Sequence, residues 1–212
     1  MQSLDNQFEY WDKASLEKSF THTLDFEKFQ PYVSHKSRIL DYGCGYGRIC
    51  NELQIYGYED VLGIDSSEKM IERGRKTYPN ANLLPLREGC IHSESFDAII
   101  LMAVLTCIPS DEGQKELVGK LLENLKIGGI IYISDYWLQN DERNLIRYEK
   151  FEKKYKQYGV FELPDGAIVR HHTEQWMSSL LQNFETIDSS NCIQLSMNGS
   201  PSSCFHYIGR RN

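Results

Sequence analysis

Residues 38–48 read Arg38-Ile39-Leu40-Asp41-Tyr42-Gly43-Cys44-Gly45-Tyr46-Gly47-Arg48, and the rest of the chain is read outward from them. A short apolar run ends on an acid, and three glycines follow at alternate positions. Ile49, Cys50 and Leu53 then take up helical spacing around polar Asn51 and Glu52. The pattern predicts a strand, a tight turn and a helix. Glycine suits such a turn because it accepts positive φ and carries no Cβ to hold a ligand off the backbone. The amides that open the helix then face whatever sits on the turn.

The spacing separates two kinds of cofactor. A dinucleotide-binding turn is read from G-x-G-x-x-G, and the position three after Gly45 is Arg48. Asp-x-Gly-x-Gly-x-Gly instead resembles the first motif of class I S-adenosylmethionine-dependent methyltransferases. The resemblance implies that the turn passes under the methionine end of the cofactor. It makes Asp41, Gly43, Cys44, Gly45, Gly47 and Arg48 candidates for holding it. A glycine-rich turn with no ligand is the plain alternative, and three alternating glycines after a buried strand weigh against it.

Further motifs follow in the family's order. Tyr58 to Asp65 predicts the second strand, with Asp65 about 20 residues past the glycines, where a carboxylate accepts ribose hydroxyls. Asp65 or Ser66 alternatively caps the helix expected over Ser67 to Lys76. Met70, early on that helix, offers a thioether to an adenine face. Asn82 to Leu86 predicts a third strand, and the resemblance implies that the next loop holds the adenine edge through Glu88 and Gly89, although the family's Gly-Asp-Ala is missing there. Ser95-Phe96-Asp97 resembles the family's motif at the fourth strand, whose apolar run Ala98 to Leu101 predicts burial on both faces. Met102 and Ala103 leave that strand as further cofactor candidates. A helix from Ser110 to Leu125 and Lys126-Ile127-Gly128-Gly129, close to the family's Lys-Pro-Gly-Gly, precede a fifth strand ending at Asp135.

Two stretches fall outside this rhythm. Before Arg38, Phe8, Tyr10, Trp11, Leu16 and Phe20 form an aromatic amphipathic stretch, and Asp25 to Tyr32 predicts a second helix. In the resembled family such a segment lies over the cofactor as a lid. Residues 136–172 predict a charged helix (Asp141 to Tyr158), a Pro164-Asp165-Gly166 turn with hairpin flanks, and then His171-His172. A helix from Thr173 to Asn183 and two strands, Glu185 to Ser190 and Ser203 to Gly209, joined through Asn198-Gly199, close the chain. The whole predicts a doubly wound, Rossmann-like α/β fold. The resemblance implies seven strands with an antiparallel last strand. One domain is expected over 1–212: a helical cap 1–37, a cofactor-binding core 38–135, an acceptor-site insertion 136–172 and a closing unit 173–212.

The resemblance implies methyl transfer from S-adenosylmethionine, leaving S-adenosylhomocysteine. A sulfonium methyl is already activated, so the protein must align a nucleophile and exclude water. If the acceptor is a hydroxyl, a general base helps, and His22, His171 and His172 are the candidates. Ordinary structural roles compete for each of them. Tyr10, Trp11, Tyr136, Trp137, Arg147 and Tyr148 are candidates for lining the acceptor pocket. Oxygen, nitrogen and sulfur acceptors all remain open. Two other classes stay open as well: a nucleotide-dependent oxidoreductase with a degenerate fingerprint, and an S-adenosylmethionine-binding regulator without turnover.

Composition bounds these readings. The 212 residues are 41% hydrophobic and 25% charged, enough for one domain with a sizeable core. A formal net charge of −7 opposes phosphate backbones, so a small-molecule partner is expected and nucleic acid is not. Residues 1–10 lack the apolar core of a signal peptide, and no apolar run reaches membrane-spanning length. A cytoplasmic monomer or homodimer is the expectation. The six cysteines show no C-x-x-C spacing and no grouping, so neither a metal site nor a thiol-held arsenic acceptor is expected.

Overall fold

Strand β4 (Phe96–Met102) explains the layering. Ala98, Ile99, Ile100 and Leu101 along it have no solvent exposure. Side chains alternate across a strand, and here Ile99 and Leu101 enter one apolar cluster while Ala98 and Ile100 enter another. A sheet buried on both faces is what a parallel α/β arrangement requires. The structure, a computed structural model, describes residues 4–87, 91–197 and 199–212. Glu88, Gly89 and Asn198 therefore lie outside the described residues.

Three parallel strands extend one way from β4: β1 (Arg38–Tyr42), β2 (Asp60–Asp65) and β3 (Asn82–Pro85). Parallel β5 (Leu125–Tyr136) lies on its other side, followed by β9 (Pro201–Arg211) and β8 (Phe184–Leu195). The order is β3-β2-β1-β4-β5-β9-β8, with β9 antiparallel to both neighbours. The expected seven strands and antiparallel last strand are thus present. Helices α3 (Arg48–Ile55), α4 (Glu68–Thr77), α5 (Asp111–Asn124) and α7 (Glu174–Leu180) connect the strands. Ser67, Ser110 and Thr173 cap the last three through side-chain oxygens that accept amides one turn on. Strand order reverses between β1 and β4, where such sheets open a crevice at their carboxyl ends.

The insertion has its own small core. Helix α6 (Glu142–Tyr155) packs on the hairpin of β6 (Val160–Glu162) and β7 (Ile168–Arg170), around Tyr148, Phe161, Ala167 and Val169. The hairpin turns at Pro164-Asp165-Gly166, where Gly166 has φ +98°.

Before β1, helix α1 (Phe8–Ala14) and the short α2 (Phe26–Phe29) belong to a segment stitched to several elements. Ser110 donates to Asp5 Oδ2 at 2.5 Å, and Gln7 donates to the carbonyls of Cys107 and Ile168. Ser67 Oγ donates to Asp12 Oδ1 at 2.6 Å, and Arg73 donates to the carbonyls of Ser15 and Lys18. Lys18 pairs with Asp165 at 2.6 Å. Among the described residues no helix is long and apolar enough to cross a membrane.

Candidate functional site

A cavity of about 510 Å³ opens at the carboxyl ends of β1, β2, β4 and β5. Asp41, Asp65, Met102 and Tyr136, from the ends of those four strands, line it. The N-terminal segment supplies another wall through Gln7, Trp11, Phe20 and His22, and the insertion closes the far side with Arg147, Phe161 and His171.

The three glycines of the turn have φ of +72°, +56° and +79°, and their reasons differ. Gly43 lines the cavity, and its amide and that of Cys44 both donate to Ile64 O. Gly45 lies under the Phe20 ring, which leaves no room for a Cβ, and Gly47 packs on Leu83 of β3. Neither of these two lines the cavity. Their glycine character answers protein contacts, whereas the motif alone suggested a ligand at all three.

Asp65 spreads its carboxylate over two amides: Oδ2 accepts from Gly45 N and Oδ1 from Ser67 N, each at 2.8 Å. Burial holds its pKa above the ordinary carboxylate value. Asp41 is more enclosed. It accepts from the Cys50 thiol at 3.3 Å, and burial pushes its pKa up to about 7. Ser66, Met70, Cys44 and Arg48 also line the cavity. Arg48 is already engaged, donating to Glu52 and to the His22 carbonyl. Ala103 lines the cavity with φ +54°, a left-handed conformation that a side chain disfavours.

His22 and His171 flank Tyr136, at ring centroid distances of 4.6 and 5.3 Å. Burial lowers His22 to about 4 and His171 to about 3, so both are neutral near pH 7. Tyr148, wholly buried, accepts from Gln139 N, and its hydroxyl lies 2.6 Å from His171 Nδ1. That bond holds the His171 ring in place at the cavity wall.

Besides Gly45 and Gly47, four candidates stand away from the cavity lining. His172 is buried 3.5 Å from Asp135 Oδ1, and neither ring nitrogen is hydrogen-bonded among the described residues. Trp137 faces Phe205 and donates to Asn191, in a separate depression. Tyr10 reaches out to Asp165 at 3.0 Å. Tyr148 sits behind His171 as its partner. Conversely, Phe20, Arg143 and Asn144 line the cavity without having been singled out. Arg143, one turn before Arg147 on a helix, was findable from i,i+4 spacing; Phe20 had only its aromatic character as a signal.

The cysteines depart from expectation. Strand pairing sets Cys192 directly opposite Cys204, and Cys44 and Cys50 meet beside Gly63. Among the described residues no group of three His, Cys, Asp or Glu is arranged to hold a metal ion.

Similarity to known proteins agrees with this geometry. A profile of the methyltransferase-domain family matches residues 34–187. Mouse arsenite methyltransferase is 34% identical over 119 residues, covering 47% of this chain and 31% of that protein. Trans-aconitate 2-methyltransferase of Rhizobium etli is 30% identical over 104 residues, covering 48% of this chain and 39% of that protein. The chain thus spans well under half the length of these relatives. Among solved structures, a methyltransferase of Methanosarcina mazei dependent on S-adenosylmethionine superposes with a TM-score of 0.81 at 24% identity, over 87% of this chain and 96% of that one. The [4+2]-cyclase SpnF has the same fold, with a TM-score of 0.70 at 13% identity over 99% and 96% of the two chains, so the fold does not dictate the reaction. The family match begins just before β1, takes in the glycine turn and the whole parallel half of the sheet, and ends in β8: the chain belongs to the S-adenosylmethionine-dependent methyltransferase-domain family.

Proposed function

We propose that the protein transfers a methyl group from S-adenosylmethionine to a small acceptor that carries a carboxylate. On the cofactor side, the residues fit. Gly43 and Cys44 on the turn would underlie the methionine end, Asp65 would take the ribose hydroxyls, and Met70, almost wholly buried beside them, would pack on the adenine. When bound, the cofactor supplies a methyl group already activated by its sulfonium. The chain's own task is then to orient the acceptor and keep water out. Trp11, Phe20 and Tyr136 supply the apolar walls for that.

The acceptor reading rests on Arg147. Its guanidinium lines the cavity, leans on the Phe161 ring 4.7 Å from the centroid and donates to the Asn144 side chain. No carboxylate among the described residues pairs with it within 4.0 Å. A partly buried, unneutralised guanidinium matches a carboxylate in shape and charge. The histidines agree with this choice. A carboxylate is ionised at neutral pH and needs no base, and imidazoles held neutral with low pKa values supply little basicity. The Rhizobium relative is named for a carboxylate, trans-aconitate. Cys44 and Cys107 line the cavity, but burial holds both as thiols and Cys192 and Cys204 lie outside it, which argues against arsenite, for which the mouse relative is named.

The test is release of S-adenosylhomocysteine across a panel of small carboxylic acids, amines and phenols. Turnover confined to carboxylic acids is expected, with Arg147→Ala raising KM at least tenfold, since hydrogen bonds to charged groups contribute roughly 1.5–3 kcal/mol. Turnover of amines or phenols alone, or an unchanged KM in the variant, overturns the acceptor reading.

A further inference from the structure

Away from the cavity lining, β8 and β9 hold two thiols face to face. Cys192 and Cys204 are directly opposed partners in the antiparallel ladder, and both are free. Opposed residues in such a ladder have Cα atoms about 4.5–5.5 Å apart, inside the roughly 4.4–6.8 Å window of a disulfide. Equivalent pleat positions also point their side chains to one face. The two thiols differ in character. Cys192 is half-buried, while Cys204 has no exposure. The neighbouring Cys204 and then His206 hold the Cys192 thiol's pKa below the ordinary value. His206 lies two residues past Cys204, so its side chain shares that face. Its Nδ1 is taken by the Tyr132 hydroxyl at 2.5 Å. Behind the pair, Cys204 Sγ lies 3.8 Å from Nε2 of His22, which lines the cavity.

This arrangement contrasts with that of the other described cysteines. Cys44 and Cys50 are buried under the glycine turn; burial pushes the Cys44 thiol up, and the bond to Cys44 and then burial push Cys50 up. Cys107 is held up by burial. An accessible thiolate beside a second thiol that can resolve its oxidised form is the setting in which reversible oxidation occurs.

We propose that Cys192 and Cys204 are a reversible oxidation site at which a peroxide closes a cross-strand disulfide. The Cys192 thiolate attacks one oxygen of hydrogen peroxide, forming a sulfenic acid while the other oxygen leaves and is protonated to water. The Cys204 sulfur then attacks the Cys192 sulfur. The S–S bond forms, the S–O bond breaks, and the hydroxyl leaves as a second water with the Cys204 proton. Two electrons pass from the sulfurs to one peroxide. A dithiol reductant reverses the step, ending as a disulfide itself.

The experiment exposes the reduced full chain to stoichiometric hydrogen peroxide, blocks the remaining thiols by alkylation, and cleaves at Met197, which separates the two cysteines. The first thiols lost should be Cys192 and Cys204. They should appear as fragments joined until dithiothreitol is added. In Cys204→Ser, Cys192 should instead be trapped by dimedone as sulfenic acid. Earlier loss of any other cysteine overturns the proposal, as does conversion of wild-type Cys192 to sulfinic acid with Cys204 still free.

Discussion

Asp65 binds two backbone amides, and through them it ties the glycine turn to the start of α4. Each oxygen keeps a second lone pair for a ligand. Asp65→Asn keeps the shape and removes the charge. It should weaken S-adenosylhomocysteine binding at least tenfold by calorimetric titration; an unchanged Kd in a folded variant would reduce Asp65 to a turn and helix-end residue. The buried titratable groups make a second prediction. His22 and His171 have folded-state values near 4 and 3 against an ordinary 6.5. As pH falls below 6.5 the unfolded chain binds protons that the folded chain refuses, so stability present above 6.5 is lost. Asp41 acts in the opposite sense: its folded value near 7 lets the folded chain keep a proton that the unfolded chain releases above 3.8. Asp65, also raised by burial, acts in the same sense as Asp41, so the histidines' loss is partly offset and the net fall in stability stays below ~1.4 kcal/mol per pH unit near pH 5. Urea unfolding at pH 7 and pH 5 should show that loss, and Asp41→Asn, which removes its share of the offset, should steepen it. None of this was legible in the sequence. The histidines could be picked out as residues, but the burial that lowers them and the Tyr148 hydroxyl that holds the His171 ring come from other elements.

Among the elements, Ser67 shows how a cap becomes a fastening. Its hydroxyl oxygen accepts from Met70 N at 3.1 Å and its proton goes to Asp12 on α1. Ser67→Ala loses both bonds, and a cap alone contributes about 0.5–2 kcal/mol. The urea midpoint should drop accordingly with the m-value unchanged, and a change in m would mean that the compactness of a state had altered. The parallel elements were readable because their side chains report burial, as the run Ala98 to Leu101 does. The hairpin was readable because Pro164-Asp165-Gly166 fixes a turn. Other elements were misjudged for identifiable reasons. Strand β8 runs five residues beyond Ser190, through Leu195, because the ladder to β9 supports it while half of its side chains are exposed. Helix α2 stops at Phe29, just before Pro31, whose ring nitrogen has no proton to extend the ladder. Strand β5 begins at Leu125, but its pairing to β4 jumps from Leu125 to Ile130, so Lys126-Ile127-Gly128-Gly129 form an irregularity inside the strand and not a stretch that precedes it.

At the scale of the molecule, the N-terminal segment joins parts that are distant in sequence. It contacts α4, the loop after β4 and the β6–β7 hairpin, and Thr21 adds a bond to the Leu195 carbonyl at the end of β8. The same residues form a wall of the cavity, with Phe20 seated over Gly45. We predict that ligand exchange requires this wall to yield. Binding that waits on such a rearrangement is slower than diffusional encounter. In stopped-flow mixing with S-adenosylhomocysteine, the observed rate should level off at high ligand concentration. Lys18→Ala, which breaks the pair with Asp165, should raise the plateau; a rate that climbs linearly throughout means the wall is already open. Residence time then becomes a property of the rim: a product leaves on the schedule of a few hydrogen bonds that never touch it, and variants at those positions would tune turnover while leaving the reacting groups unaltered.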